Sequence, residues 1–330
     1  MTASRPWLVP LLIALAGVSA VLSVGIGSAS LSPQAMLAAL FGHGDPVIRS
    51  ILIDLRLPRA ILSIAIGAML GLSGAALQGY LRNPLAEPAV LGTSNGAALG
   101  AVVAFYFGFA DLWPAALPLM AIAGAVVSLA LLFLLAGRSE SSLTLILAGI
   151  AVATLAGAGI SLALNLSPNP FAGMEIMIWL MGSLEDRSFH HVAVALPCIA
   201  IGMALLAWDG PALDALTLGE DGAAALGADL KRTRLRLLLG VAIGVGGAVA
   251  VSGAIGFVGL IVPHLVRPLT DRSPSSLLLP SALAGASLLT LSDILVRIIP
   301  ATTELRLGVV TAFLGVPFFL FHLMRERRLW

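Results

Sequence analysis

Charge is scarce in this chain. Of its 330 residues only 11% are Asp, Glu, Lys or Arg, against 59% hydrophobic. A water-soluble domain carries about 25% charged residues. Under half that density leaves too few solvated groups to cover a chain of this size, so a soluble enzyme and a disordered chain are both excluded. Eighteen basic residues against 17 acidic give a formal charge of +1, which excludes a nucleic-acid binder built on a basic face. Cysteine is nearly absent: Cys198 stands alone. One thiol makes no intrachain disulfide, thiolate zinc site or iron–sulfur cluster, and Cys198 reads as a small apolar residue in a helix. Lysine is reduced to Lys231, preceded by Leu230, so there is no G-x-x-x-x-G-K-[ST] loop to hold a nucleotide. H-E-x-x-H is missing as well.

What is present is long apolar sequence. Nine runs are free of Asp, Glu, Lys and Arg: 6–44, 60–81, 88–110, 112–137, 141–174, 188–208, 237–266, 273–292 and 307–324. All reach the length of a span, about 20 apolar residues. Gly253, Gly256, Gly259 and Pro263 interrupt the run 237–266, which predicts one span ending near 254 and a second starting near 257. The expected fold is an all-α polytopic membrane protein with ten transmembrane helices, forming one domain over 1–330. Residues 7–30 are read as an uncleaved first helix, because the apolar run is long and nine further spans follow. An even number of spans puts both termini on one side. If that side is the cytoplasm, 12 Lys and Arg fall in inner loops and 6 in outer ones, as the positive-inside rule requires. Arg49, Arg56, Arg59, Arg187, Arg297 and Arg306 are the six that run against it. Small residues at Gly67/Gly71, Gly92/Gly96/Gly100 and Gly240/Gly244 predict close helix packing.

Three loops carry unusual content. Arg82-Asn83-Pro84-Leu85-Ala86-Glu87-Pro88 is a rigid turn on the inner side; it reads either as a plain connector or as a cytoplasmic constriction. The longest inner loop, 209–236, holds Thr217-Leu218-Gly219-Glu220 at capping-box spacing, with Thr217 as the expected N-cap. Ala223 to Leu226 propagate a short helix that Gly227 ends. Such a helix under the membrane gives a soluble partner something to grip. On the outer side Pro168 and Pro170 break the chain, and 172–184 predict another short helix with Trp179 as an interfacial anchor.

Ionisable groups inside spans are few. Asp293 and Arg297 are spaced i, i+4 and predict a structural ion pair; a proton-coupling carboxylate, and with it a proton-coupled secondary transporter, is the remote alternative. His190 and His191 are adjacent, so they do not share a helix face and do not form a joint metal site. Gly71-Leu72-Ser73-Gly74 resembles the serine motif of rhomboid proteases. A serine nucleophile needs a base within reach, and His264 lacks the glycine-rich surroundings of such a base.

A broader resemblance runs from about 50 to 325. It is carried by Leu55-Arg56-Leu57-Pro58-Arg59, by Gly74-Ala75-Ala76-Leu77-Gln78 and by Asn83-Pro84-Leu85-Ala86-Glu87-Pro88. Leu91 to Ala97, Leu147-Ala148-Gly149 and Trp179-Leu180-Met181-Gly182-Ser183 continue it. The most specific block is Gly253 to His264 with Arg267, and Gly308 to Ala312 with Gly315-Val316-Pro317 close the set. These blocks resemble the FecCD-type permeases, membrane subunits of type II ATP-binding-cassette importers for iron–siderophore, haem and cobalamin.

The resemblance implies ten helices per subunit and a homodimer. It implies two cytoplasmic ATPase subunits and a periplasmic or lipid-anchored substrate-binding protein. Location in a bacterial cytoplasmic (inner) membrane follows, with no cofactor and no enzymatic step in this chain. The cargo implied is a metal chelate, iron–siderophore or haem, with cobalamin the alternative. Arg56, Arg59 and Arg297 match arginines that meet glutamates of the binding protein, which would explain their place outside. Arg306 stands where the family usually has proline and adds positive charge to that surface. Asn83 and Leu85 match one cytoplasmic gate, and Ser141 and Ser142 fall in the loop of a second. Residues 217–227, with Thr217, Leu218, Gly219, Glu220, Ala224, Leu226 and Gly227, match the coupling helix seated on the ATPase.

Overall fold

The computed structural model describes residues 5–327 except 28, 30, 114, 138–141, 168–169 and 300–303. Among the described residues all regular structure is helical. The helices in chain order are α1 (Leu8–Gly25), α2 (Pro33–Leu40), α3 (Pro46–Ser50), α4 (Leu57–Leu81), α5 (Thr93–Tyr106), α6 (Phe109–Leu112), α7 (Ala116–Ala136) and α8 (Ser142–Asn165). They continue with α9 (Pro170–Leu180), α10 (Phe189–Trp208), α11 (Gly210–Ala215), α12 (Glu220–Ala225), α13 (Leu230–Ser252), α14 (Val258–Val266), α15 (Pro274–Ile298) and α16 (Leu307–Arg327).

The start signals are local. Ser32, Asp45, Asp229 and Ser273 each accept a hydrogen bond from a first-turn N–H of α2, α3, α13 and α15, satisfying donors that have no partner within the helix. A π-helical turn, Ile51–Arg56, joins α3 to α4, and the Leu57 N–H reaches back to Leu52 O. Pro58 follows and has no N–H to offer, so the wider turn falls where the ordinary ladder is interrupted anyway.

Among the described residues seven helices are long and apolar enough to cross a membrane: Leu8–Gly25, Pro46–Leu81, Ala116–Ala136, Leu143–Asn165, Phe189–Trp208, Leu230–Ser252 and Pro274–Ile298. The other three expected spans coincide with shorter helices, α5 (14 residues), Val258–Leu269 and Leu307–Leu320. The run 237–266 divides as its glycines predict: α13 ends at Ser252 and α14 begins at Val258.

α4 is the central element. It packs on α15 and also touches α1, α10, α13 and α14. The contact with α15 is nearly backbone to backbone. A Cβ on Gly67 would strike the Gly285 carbonyl, and one on Gly71 the Ser281 carbonyl. In lipid no hydrophobic force drives helices together, so close van der Waals contact of this kind is what holds them.

Candidate functional site

Charged side chains gather at the two ends of the bundle. The end carrying Arg56, Arg59, Arg297 and Arg306 is the one that the charge count places outside, and is called the outer end.

At the outer end α1 stops at Gly25 and leaves carbonyls without helical partners. Two arginines cover them. Arg56 Nη1 donates to Val24 O (3.1 Å) and Gly25 O (2.7 Å), and its Nη2 to Ala29 O (2.6 Å). Arg297 Nη1 donates to Ser23 O and Ile26 O, both at 2.8 Å, and its Nη2 to Ser23 Oγ at 2.7 Å. Cations here also complement the negative end of the helix dipole. Arg56 is only 5% exposed as a result.

Asp293 lies beneath them, 0% exposed. Its Oδ1 accepts from Arg59 Nε (3.0 Å) and Nη2 (2.9 Å), and its Oδ2 pairs with Arg297 Nη2 (2.9 Å). The i, i+4 ion pair expected from sequence is thus present, with Arg59 added. A carboxylate sealed in the core needs such partners, and both oxygens are held by guanidinium groups, which leaves no open face toward a proton path. Arg59 also donates to both carboxylate oxygens of Glu304. Arg306 Nη1 pairs with Glu185 Oε2 at 2.8 Å. Arg56, Arg59, Arg187, Arg297, Glu185 and Glu304 line one cavity of about 310 Å³. Burial lowers the Arg187 pKa from its ordinary value, against the opposing pull of Asp186 and Glu185. The adjacent His191 ring turns back to the start of α10, where Nδ1 accepts from the Ser188 N–H at 3.1 Å.

At the inner end α4 closes on Arg82, in the left-handed region at φ 49°. Asn83 Oδ1 accepts from the Leu85 N–H at 2.9 Å, an Asx turn. The loop is fastened to α14 by two bonds. His264 Nε2 stands 2.9 Å from Pro84 O, and the Phe257 N–H donates to the Glu87 carboxylate. Burial raises the Glu87 pKa, and the Phe257 bond opposes part of that rise. Beside the loop, Gln78 of α4 accepts from Arg267 Nη2, just past the end of α14, at 2.9 Å. His264 is therefore engaged with the loop, and the Ser73 Oγ donates to Leu70 O of its own helix. Ser141 lies outside the described residues, and Ser142 is the first residue of α8.

The short inner helix exists as α12, with one correction. Thr217 does not cap it. Thr217 belongs to a preceding 3-10 turn, Leu216–Leu218, and its Oγ1 donates to Asp214 O at 2.6 Å. The N-cap is Gly219, at φ 92° and ψ 169°, a conformation open to glycine and strained for threonine or serine. Gly227 ends the helix as expected, at φ 84°. Ala223 is buried while Leu218 and Leu226 stand 69% and 67% exposed on either side. With Trp208, Asp214 and Thr217 they border a cavity of about 710 Å³.

Three carboxylates tie this segment to the spans. Asp209 is buried and accepts from Arg236 Nε (2.8 Å) and Thr233 Oγ1 (3.2 Å) of α13. Asp214 accepts from the Ser275 N–H of α15 at 2.8 Å. Glu220 pairs with Arg82. Sequence reading placed none of these ties; the density of charge in 209–236 was the only signal.

The FecCD transport family matches over residues 13–325. The chain is 41% identical over 326 residues to the vitamin B12 import system permease protein BtuC of Vibrio vulnificus, covering 98% of this chain and 96% of that one. It is 38% identical over 326 residues to the Fe(3+)-citrate import system permease protein YfmE of Bacillus subtilis, covering 98% and 97%. A solved structure described as an inward-facing conformation of a metal-chelate type ABC transporter superimposes with a TM-score of 0.88 at 34% identity, covering 97% of this chain and 100% of that one.

Proposed function

The chain belongs to the FecCD transport family and is the membrane-spanning permease subunit of an ATP-binding-cassette importer; from that premise we propose how its two ends are used. The observation that carries the reading is α12. Leu218 and Leu226 are exposed beside it, at the end opposite the arginine cluster, while Asp209, Asp214 and Glu220 bind the same segment to α13, α15 and α4. A soluble ATPase gripping Leu218, Gly219, Glu220, Ala224, Leu226 and Gly227 would move three spans at once. Thr217 adds to this by setting the turn before Gly219.

The outer cluster is the docking surface for a substrate-binding protein bearing carboxylates: Arg59 and Arg306 offer it their charge, whereas Arg56 and Arg297, each 5% exposed and turned onto the end of α1, brace that surface from beneath. Charge-complementary docking speeds encounter and fixes register. The loop of Asn83 and Leu85 is one cytoplasmic gate, and the 141–142 segment is a second. The working unit is a homodimer with two ATPase subunits in the bacterial inner membrane. Both termini face the cytoplasm, and α5, α14 and α16 complete ten crossings. The cargo is a metal chelate, iron–siderophore, ferric hydroxycarboxylate or haem, with cobalamin the alternative; relatives named for cobalamin and for ferric citrate stand at nearly equal identity.

The test is reconstitution with an ATPase and a binding protein of the same organism's importers of this family. The binding protein is loaded in turn with ferric citrate, a ferric siderophore, haem and cobalamin. Stimulated ATP hydrolysis and uptake with one loaded form would name the cargo. Uptake that needs no ATPase and follows a proton gradient would overturn the reading.

A further inference from the structure

The Arg59 guanidinium has two edges able to take a carboxylate bidentately. Asp293 fills the inner edge, through Nε and Nη2. Glu304 fills the outer edge, through Nη1 and Nη2. The inner acid is sealed, whereas the Glu304 side chain is 20% exposed. Arg297 has no comparable edge, because it is committed to Ser23, Ile26 and Asp293. Arg56 is turned onto the α1 carbonyls. Across these three arginines, then, the one bidentate edge held by a displaceable, solvent-side acid is the outer edge of Arg59.

We propose that Glu304 is an internal stand-in for a carboxylate of the docking protein, and that docking exchanges one for the other. This rests on the docking role given to Arg59 above. The exchange replaces one acid with another, so the charge of the pocket is unchanged and Glu304 gains water in return. Glu304 lies three residues before Leu307, the first residue of α16. Arg306, on the same connection, is held by Glu185, which lines the same cavity as Glu304. An acid that takes the place of Glu304 frees one of the two clips on the start of α16. Docking is thereby felt by a transmembrane helix, without cargo having moved.

The test uses the permease–ATPase complex in nanodiscs and the binding protein that stimulates it. Glu304→Gln removes the competitor and should tighten binding about three- to tenfold; Glu304→Asp, one methylene shorter and so drawn back from the Nη atoms, should shift it the same way. Arg59→Gln should weaken binding, and the gain from Glu304→Gln should vanish in that background. If Glu304→Gln and Glu304→Asp leave affinity unchanged or lower while Arg59→Gln weakens it, the exchange is wrong and the docking reading stands. If Arg59→Gln binds as wild type, both fall. Hydrogen exchange on the unmodified chain gives an independent readout: amides of 305–310 should exchange faster once the binding protein is added, and slower or unchanged exchange there overturns the release of α16.

Discussion

Arg82 Nη2 stands 3.7 Å from Glu220 Oε1, which joins the loop of Asn83 and Leu85 to the first residue of α12. Both side chains are substantially exposed, and pairs of this kind contribute about 0–1 kcal/mol. The pair is therefore suited to making and breaking contact during a cycle rather than to holding the fold. Arg82→Glu should leave thermal stability within about 1 kcal/mol and lower cargo moved per ATP hydrolysed. The double variant Arg82→Glu with Glu220→Arg should restore that ratio. A ratio unmoved by either single change would remove the link between the proposed gate loop and α12 as the proposed coupling helix.

Arg56 and Arg297 are expected to fail first in stability. Each covers carbonyls at the end of α1, and Arg297→Ala also leaves buried Asp293 with one cation fewer. Loss of charged hydrogen bonds in a buried site costs about 2–4 kcal/mol. Thermal unfolding in detergent should show it for both alanine variants in the absence of any partner. An unchanged melting temperature would mean that these arginines do not hold α1.

How much of this was legible in the sequence depends on where the partner lies. The break between α13 and α14 was readable because Gly253, Gly256 and Gly259 are local signals. The six arginines were readable as anomalies, because their sign conflicts with the side of the membrane that the charge count assigns them. Of their contacts, the spacing showed the pair of Arg297 with Asp293, but not the hold on α1, since the acceptors there are chiefly backbone carbonyls of Ser23, Val24, Gly25, Ile26 and Ala29, and a carbonyl leaves no mark in sequence. Thr217 was misread for another reason. Its spacing to Glu220 fits a capping box, but Gly219 takes a backbone conformation that starts the helix two residues later.

Asp293→Asn separates the ATP-driven importer from a proton-coupled carrier. In the structure the residue is a buried counterion to Arg59 and Arg297. The variant should fold less well, and uptake per folded complex should persist and depend on ATP. Uptake abolished at normal complex yield would return Asp293 to the centre of the mechanism.

Glu87 gives a pH dependence with a definite sign. Burial raises its pKa above the ordinary 4.5, so the folded chain holds the proton more tightly than the unfolded one. Its contribution to stability is full below pH 4.5 and is lost as pH rises through the higher folded value. Glu87→Gln keeps an acceptor for the Phe257 N–H and does not ionise. The variant should gain on wild type as pH rises from 4 to 7, read from unfolding midpoints across that range. A gap that widens toward acid instead would reverse the assignment.

The exposed pair Leu218 and Leu226 tests the inner surface. Exposed apolar side chains flanking a short helix in the loop assigned to the inner end have no lipid to cover them, and a patch of this kind marks a partner surface. Leu218→Ser with Leu226→Ser removes apolar area without touching Ala223 or the ties made by Asp209 and Asp214. Fold and membrane insertion should be retained, because surface substitutions away from such features fall within about 0.5 kcal/mol. Co-purification of the ATPase should fall about tenfold or more, since an anchor buried at an interface contributes about 1–2 kcal/mol or above. Retained co-purification would place the ATPase contact elsewhere on the inner end, and with it the origin of the force that reaches α4, α13 and α15.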